Sequence, residues 1–315
     1  MGWFTFISQK ETFFIGGREV IIRYKHEEDL ARFKEIIHKA CETQKVAAFF
    51  PKITFVLKEE KVGETPAYVI PGNTLKRRII VYLNATHFSQ QTIQRQPREL
   101  LETIVHELTH LWHDEISKTL QRNAKAQKRL AKLLYTQFKS QPNVKKPFFA
   151  LRGKLFLLFH DLIAEGIAIY CETQTRGKLP FTEEVWSYLY NDARKRTANI
   201  EQDWGQFIIL LNSAQPQYLK MDAFEICTRL LNDLKYQVGM HMVHTILYFD
   251  HNLQLEDLTQ MKPFKFIREY ETTMKNKRRQ PLISATSGEG ILDYKKMLAE
   301  LTLAVREKKT ALAKT

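Results

Sequence analysis

Two histidines and two glutamates carry most of the chemistry that this chain could perform. The first group lies in Ile104-Val105-His106-Glu107-Leu108-Thr109-His110-Leu111. Histidines four apart on a helix project from one face, a turn apart. That spacing suits two imidazole ligands on one tetrahedral Zn2+. Glu107 is rotated off this face, so it can reach a water rather than the metal. Zinc lowers the pKa of such a water to about 7, and a carboxylate can accept its proton as the water attacks a carbonyl. A purely structural zinc site has no use for a base beside an open position. The intact Glu107 therefore points to hydrolysis.

A hydrolytic zinc site needs a third protein ligand. The candidate is Glu165, in Asp161-Leu162-Ile163-Ala164-Glu165-Gly166-Ile167-Ala168-Ile169-Tyr170. A carboxylate in an otherwise apolar helix is costly to bury unless paired or metal-bound. Pairing with a Lys or Arg is the competing reading. The small residues Gly166 and Ala168 allow this helix close to the His106 helix. Asp161, one turn before Glu165 on the same face, is expected to orient a ligand histidine. His113 and His160 are fallback ligands with poorer helical spacing. Tyr236, His241 and His244 are candidate donors to a developing oxyanion.

These residues together resemble the gluzincin metalloproteases. The nearest pattern is that of the peptidase MA-like family of predicted zinc-dependent proteases, His-Glu-x-x-His, then Glu-Gly-x-Ala, then Tyr-x-x-Gly. The last element matches Tyr236-Gln237-Val238-Gly239. The resemblance covers roughly residues 79–249. It implies His106, His110 and Glu165 as metal ligands, Glu107 as general base, and Tyr236 as the favoured oxyanion donor. It also implies a zincin-like α+β fold, with the active site in the cleft between lobes. An extended peptide would add along the strand Ile79 to Leu83. Thermolysin-like enzymes carry an Asp four residues after the ligand Glu, where this chain has Ile169.

The elements that must position these residues change character along the chain. The first ninety-odd residues read as a small mixed α/β lobe. Thr12 to Tyr24 is a strand pair turned at Gly16-Gly17, and Glu27 to Thr43 has helical spacing. Ile53 to Leu57, Ala67 to Ile70 and Ile79 to Leu83 are short strands. Helices are expected at Pro97–Ser117, Leu120–Lys139, Phe148–Thr173, Thr182–Asn191, Ile200–Asn212, Asp222–Phe249 and Ile291–Glu307. Met274 to Glu289 reads as a loop. Its Ser284-to-Gly290 stretch resembles a base-contacting GTPase loop, but there is no phosphate-binding Gly-x-x-x-x-Gly-Lys-Ser/Thr sequence. It is therefore expected to be a turn capping the last helix. The domain reading is 1–95 for the α/β lobe and 96–255 for the helical zinc-site lobe. Residues 256–315 read as a helical extension, all within one compact whole.

The 315 residues carry 48 Lys and Arg against 35 Asp and Glu, a net charge of +13. Eleven Lys and Arg, and no Asp or Glu, fall in the basic insertion 116–160. That segment, from Lys118 to Lys154, is a candidate surface for an anionic partner, either nucleic acid or an acidic protein. The alternative to a peptidase is thus a basic nucleic-acid- or membrane-associating protein with a structural or vestigial zinc site. No apolar run is long enough to span a membrane, and the first residues lack signal-peptide features. Three cysteines are too few and too scattered for a disulfide framework, and a reducing, cytoplasmic setting is expected.

Overall fold

Gly16 and Gly17 sit at φ +55° and +76°, the pair of left-handed positions that a two-residue hairpin turn demands. They join β1 (Gln9–Ile15) to β2 (Arg18–Tyr24), paired antiparallel with Ile15 opposite Arg18. The computed structural model describes residues 9–24, 30–43, 52–58, 67–70, 78–84, 97–117, 145–177, 179–212, 234–285, 288–293, 295–297, 299–300 and 303. Among them the protein is mixed α/β and mostly helical. No helix of the described residues is long and apolar enough to cross a membrane. The expected helix Leu120–Lys139 lies outside the described residues.

The described residues fall into two compact units. The first lies within Met1–Ile116 and Cys171–Lys178, the second within Ser117–Tyr170 and Leu179–Thr315. The His106 helix falls in the first unit, with the sheet. No break falls near residue 256.

In the first unit, α1 (Leu30–Thr43) follows β2, and β3 (Lys52–Lys58) pairs parallel to β2. A helical crossover is the usual way to connect parallel neighbours. Val20, Ile21 and Ile22 are consecutive and all buried, as befits a strand covered on both faces. β5 (Arg78–Asn84) pairs parallel to β3, and β4 (Ala67–Ile70) pairs antiparallel to β5. The strand order is β1-β2-β3-β5-β4. The strand expected at the edge, Ile79 to Leu83, is therefore interior, and β4 is the edge. A strand's own side-chain pattern does not reveal which neighbour takes its backbone hydrogen bonds, so sequence alone misplaced it.

Helix α2 (Pro97–Ile116) packs against α1 and β4. Proline suits the first helical position, where its missing N–H costs nothing. Leu100, Leu101, Ile104, Val105, Leu108, Leu111 and Trp112 form its buried stripe. The same periodicity leaves His106 and His110 half-buried at its border. Helix α3 (Lys145–Gln174) supplies Cys171–Gln174 to this unit.

In the second unit, α4 (Glu183–Asn212) is one helix where two were expected. Its buried residues Trp186, Tyr190, Ala193, Thr197, Ile200 and Trp204 recur at alternating steps of four and three. The polar run Asp192 to Thr197 resembled a break only because its charged members lie off that stripe. A π-helical segment, Leu234–Val238, leads into α5 (Gly239–Phe249), whose first eight residues are all buried. Helix α4 and α7 (Pro263–Asn276) pack on α5, with the short α6 (Leu255–Gln260) between α5 and α7 in sequence. Trp186 stacks on Tyr190 and donates its indole N–H to the Thr245 hydroxyl at 3.0 Å.

The expected loop from Met274 is partly α7 and partly β6 (Ile283–Ser284), which pairs parallel to β7 (Leu292–Asp293). The last helix was expected from Ile291. Helical residues instead follow Asp293, whose carboxylate accepts the Lys296 amide at 2.9 Å. Ala285 in the Ser284–Gly290 stretch is tied to α7, because buried Glu271 accepts its amide at 2.9 Å, while Thr286 and Ser287 lie outside the described residues.

One contact in this unit leaves no room for a side chain. A Cβ on Gly166 would lie 2.4 Å from the Gly239 carbonyl carbon, and one on Gly239 would lie 2.4 Å from the Leu162 carbonyl oxygen. Helix α3 and the start of α5 thus meet backbone to backbone. Gly239→Ala is expected to lower the unfolding free energy by about 3 kcal/mol. Gly205→Ala, in α4 with open space around it, should instead raise it by about 0.5–1 kcal/mol through helix propensity. Urea unfolding of the two variants checks both signs.

Candidate metal centre

The centre is built on a ladder of polar pairs between α2 and the C-terminal end of α3. Glu102 and Arg176 make the first rung. Arg176 donates from Nε to Oε1 at 2.9 Å and from Nη2 to Oε2 at 2.7 Å. This fork is the strongest common geometry for a guanidinium and a carboxylate. Arg98 adds to it, with Nε 3.3 Å from Glu102 Oε1 and Nη2 donating to the Arg176 carbonyl at 2.6 Å. The Glu102 side chain is only 5% exposed, while Arg176 and Arg98 stay more than half exposed, so the pairing lies at the edge of the solvent.

One turn further along α2, and one turn back along α3, is the second rung. His106 Nδ1 lies 3.1 Å from Glu172 Oε2. The steps run in opposite directions, as they must for an antiparallel helix pair. A further turn of α2 brings His110, and two turns back along α3 from Glu172 comes Glu165. The ligand atoms of His106, His110 and Glu165 all lie within 4.8 Å of one another, and all three residues are half-buried.

The second rung decides what this group can hold. A carboxylate at Nδ1 requires the proton there, so a neutral His106 ring keeps its lone pair on Nε2. That Nε2 faces His110 Nε2 at 3.1 Å, with the rings nearly perpendicular. Two ligands about 2.0–2.1 Å from one tetrahedral ion would stand little more than 3 Å apart. Two imidazole nitrogens and one carboxylate, with a carboxylate behind the first imidazole, make a donor set suited to a divalent transition ion such as zinc.

Glu165 also has a cation beside it. Lys235, in the π-helical segment, donates from Nζ to Glu165 Oε1 at 3.1 Å and lies 4.7 Å above the Tyr236 ring. Burial works against the Lys235 ammonium, but Glu165 and Tyr236 outweigh it and hold its pKa above the ordinary lysine value. The competing sequence reading of Glu165, an ion pair with a basic residue, and the metal-ligand reading thus meet at one carboxylate.

The other sequence candidates divide clearly. Glu107 is half-buried on α2, between the two histidines. Tyr236 lies half-buried in the π-helical segment, next to Lys235. Asp161 does not orient a ligand histidine. It pairs with its neighbour His160 at 3.5 Å, and the carboxylate beside His106 is that of Glu172. The counting error was one of direction, since an antiparallel partner helix places the supporting carboxylate after the ligand Glu, not before it. Pairing Glu102 with Arg176 and His106 with Glu172 in the sequence would have shown this. His113 is buried on α2 and His160 stands beside Asp161, and neither joins the group.

His241 and His244 are core residues. His241 lies among Trp186, Tyr190 and Tyr270, and its ring nitrogens are 3.3 and 3.4 Å from the Thr245 hydroxyl. Burial pushes His241 down to about 3, with His244 adding to the effect. Burial also pushes His244 down to about 4, against a backbone hydrogen bond at Pro180. The thiol of buried Cys41 is pushed up to about 12 by burial, so it is no nucleophile.

Compared with protein-family models, curated proteins and solved structures, the chain matches none.

Two outcomes follow from this geometry. Glu172→Gln should weaken zinc binding by about 10–100-fold, read by competition with a chromophoric chelator, while the fold is retained. His241 and His244 stay neutral in the folded protein and take up protons only when it unfolds. Their contribution to stability is therefore whole above pH 6.5 and is lost as pH falls from 6.5 toward 3–4. Each should add a slope of about 1.4 kcal/mol per pH unit in that window. Urea midpoints between pH 7.5 and 5 measure it, and His244→Phe should make the decline shallower.

Proposed function

We propose that this protein is a zinc-dependent metallopeptidase with a zincin-like arrangement, working in the cytoplasm. One observation carries the reading. The His106 imidazole is oriented by Glu172 so that its lone pair faces His110 Nε2 at 3.1 Å, with Glu165 completing the group. Glu107, on the same helix turn, makes the group more than a structural clamp.

A divalent ion held by His106, His110 and Glu165 supplies Lewis acidity and a water acidic enough to lose its proton near neutral pH. With such an ion bound, Glu107 would be the base that takes up the water's proton and returns it to the departing amine. Tyr236 is the donor proposed for the carbonyl oxygen as it gains charge. Edge strand β4, against which α2 packs, offers backbone groups along which an extended peptide can add as a further strand. The substrate class is accordingly a peptide or protein segment in extended conformation. The positive charge of 116–160 supports an acidic protein or nucleic acid as the partner that brings such a substrate.

The protein purified without a tag should hold about one zinc per chain after exhaustive dialysis. Glu107→Gln should keep that zinc and lose about 10²–10⁴-fold in turnover of extended peptides. Zinc content by elemental analysis and cleavage of a peptide mixture, followed by mass spectrometry, measure the two. Full activity in Glu107→Gln would overturn the mechanism.

A further inference from the structure

The ammonium beside Glu165 is an odd neighbour for a metal ligand. Lys235 and Glu165 have side chains only 19% and 16% exposed. Their attraction is therefore less screened than that of a surface pair. A divalent ion arriving at Glu165 meets a carboxylate whose charge is already matched. It must displace the ammonium or bear its repulsion, and either weakens its binding.

The arrangement is set by the backbone. The contact between Gly166 and Gly239 fixes the π-helical segment against α3 one residue past Glu165. Such wide turns are rare and occur frequently at functional sites. Here Lys235 is turned onto Glu165, and the Tyr236 ring lies beneath its ammonium. An aromatic face holds a cation without a counter-ion, so it gives Lys235 a resting place when Glu165 turns elsewhere.

We propose that Lys235 is the resident cation of the centre, neutralising Glu165 in the metal-free protein and exchanged for the divalent ion on loading. The inference rests on Glu165 being a metal ligand, as in the reading above. It adds that the metal-free centre is a balanced state of the fold, and that metal affinity is held down by a competitor within the chain. Lys235 is thus a positioning residue that acts through Glu165.

Zinc alone is the probe. Its affinity is measured on the full chain by chelator competition, and the melting temperature is measured with and without zinc. Lys235→Met should bind zinc about 10–100-fold more tightly than the unsubstituted protein, by analogy with the effect of a removed charge on a neighbouring carboxylate. It should also melt lower without zinc and gain more on zinc addition. Lys235→Arg, which keeps the charge, should stay close to the unsubstituted protein in both. If Lys235→Met fails to fold without zinc, Lys235→Gln, which keeps a donor but no charge, takes its place. Unchanged or weaker zinc affinity in the uncharged variants overturns the inference. Glu165→Gln separates the two claims. If it loses zinc while the Lys235 variants bind as before, only the exchange fails. If it binds zinc undiminished, Glu165 is no ligand, and the metal centre and the exchange fall together.

Discussion

Two helices crossing in opposite directions, held by the fork between Glu102 and Arg176, set everything else in the centre. The fork buries a carboxylate that would be costly alone and fixes the register of α3 against α2 at its C-terminal end. With that register fixed, Glu172 can only meet His106, and the helical repeat places Glu165 two turns further on. A shift of one residue along either helix would turn a ligand about 100° away. The histidine pair therefore depends less on its own spacing than on a salt bridge one turn away.

The second support is steric rather than electrostatic. Gly166, immediately after Glu165, and Gly239, at the head of α5, let two backbones touch. This contact explains the small residues in both stretches without any appeal to chemistry. It also explains why the π-helical segment sits where Lys235 reaches Glu165. The aromatic core around Trp186, Tyr190 and Tyr270 holds α5 from the other side, with His241 serving as one more ring in it.

Much of this was legible in the sequence, and the failures have definite causes. The three strands between Lys52 and Asn84 were found to within a residue at each end, because strand alternation and turn chemistry act locally, whereas β6 and β7 were read as loop and helix. The grouping of His106, His110 and Glu165 was legible because the two histidines share a helix face and Glu165 interrupts an apolar one. The edge strand was misplaced because pairing partners are a property of the sheet, not of the strand. One long helix was split in two because the charged face of α4 outweighed its buried stripe in a linear reading. Asp161 was preferred to Glu172 because the relative direction of two helices is not written in either one. Lys235 was missed because a lysine beside a tyrosine has no periodic signature.

The ladder has a bearing on how the chain is connected. His110 and Glu165 are separated by 54 residues, yet Glu172 and Arg176, which pair with α2, lie beyond Glu165. A connection between two fixed ends acts on stability through its length. Its closure costs only about 0.6 kcal/mol more for each doubling of length. Insertions or deletions within 118–144 are therefore expected to cost the group of His106, His110 and Glu165 little.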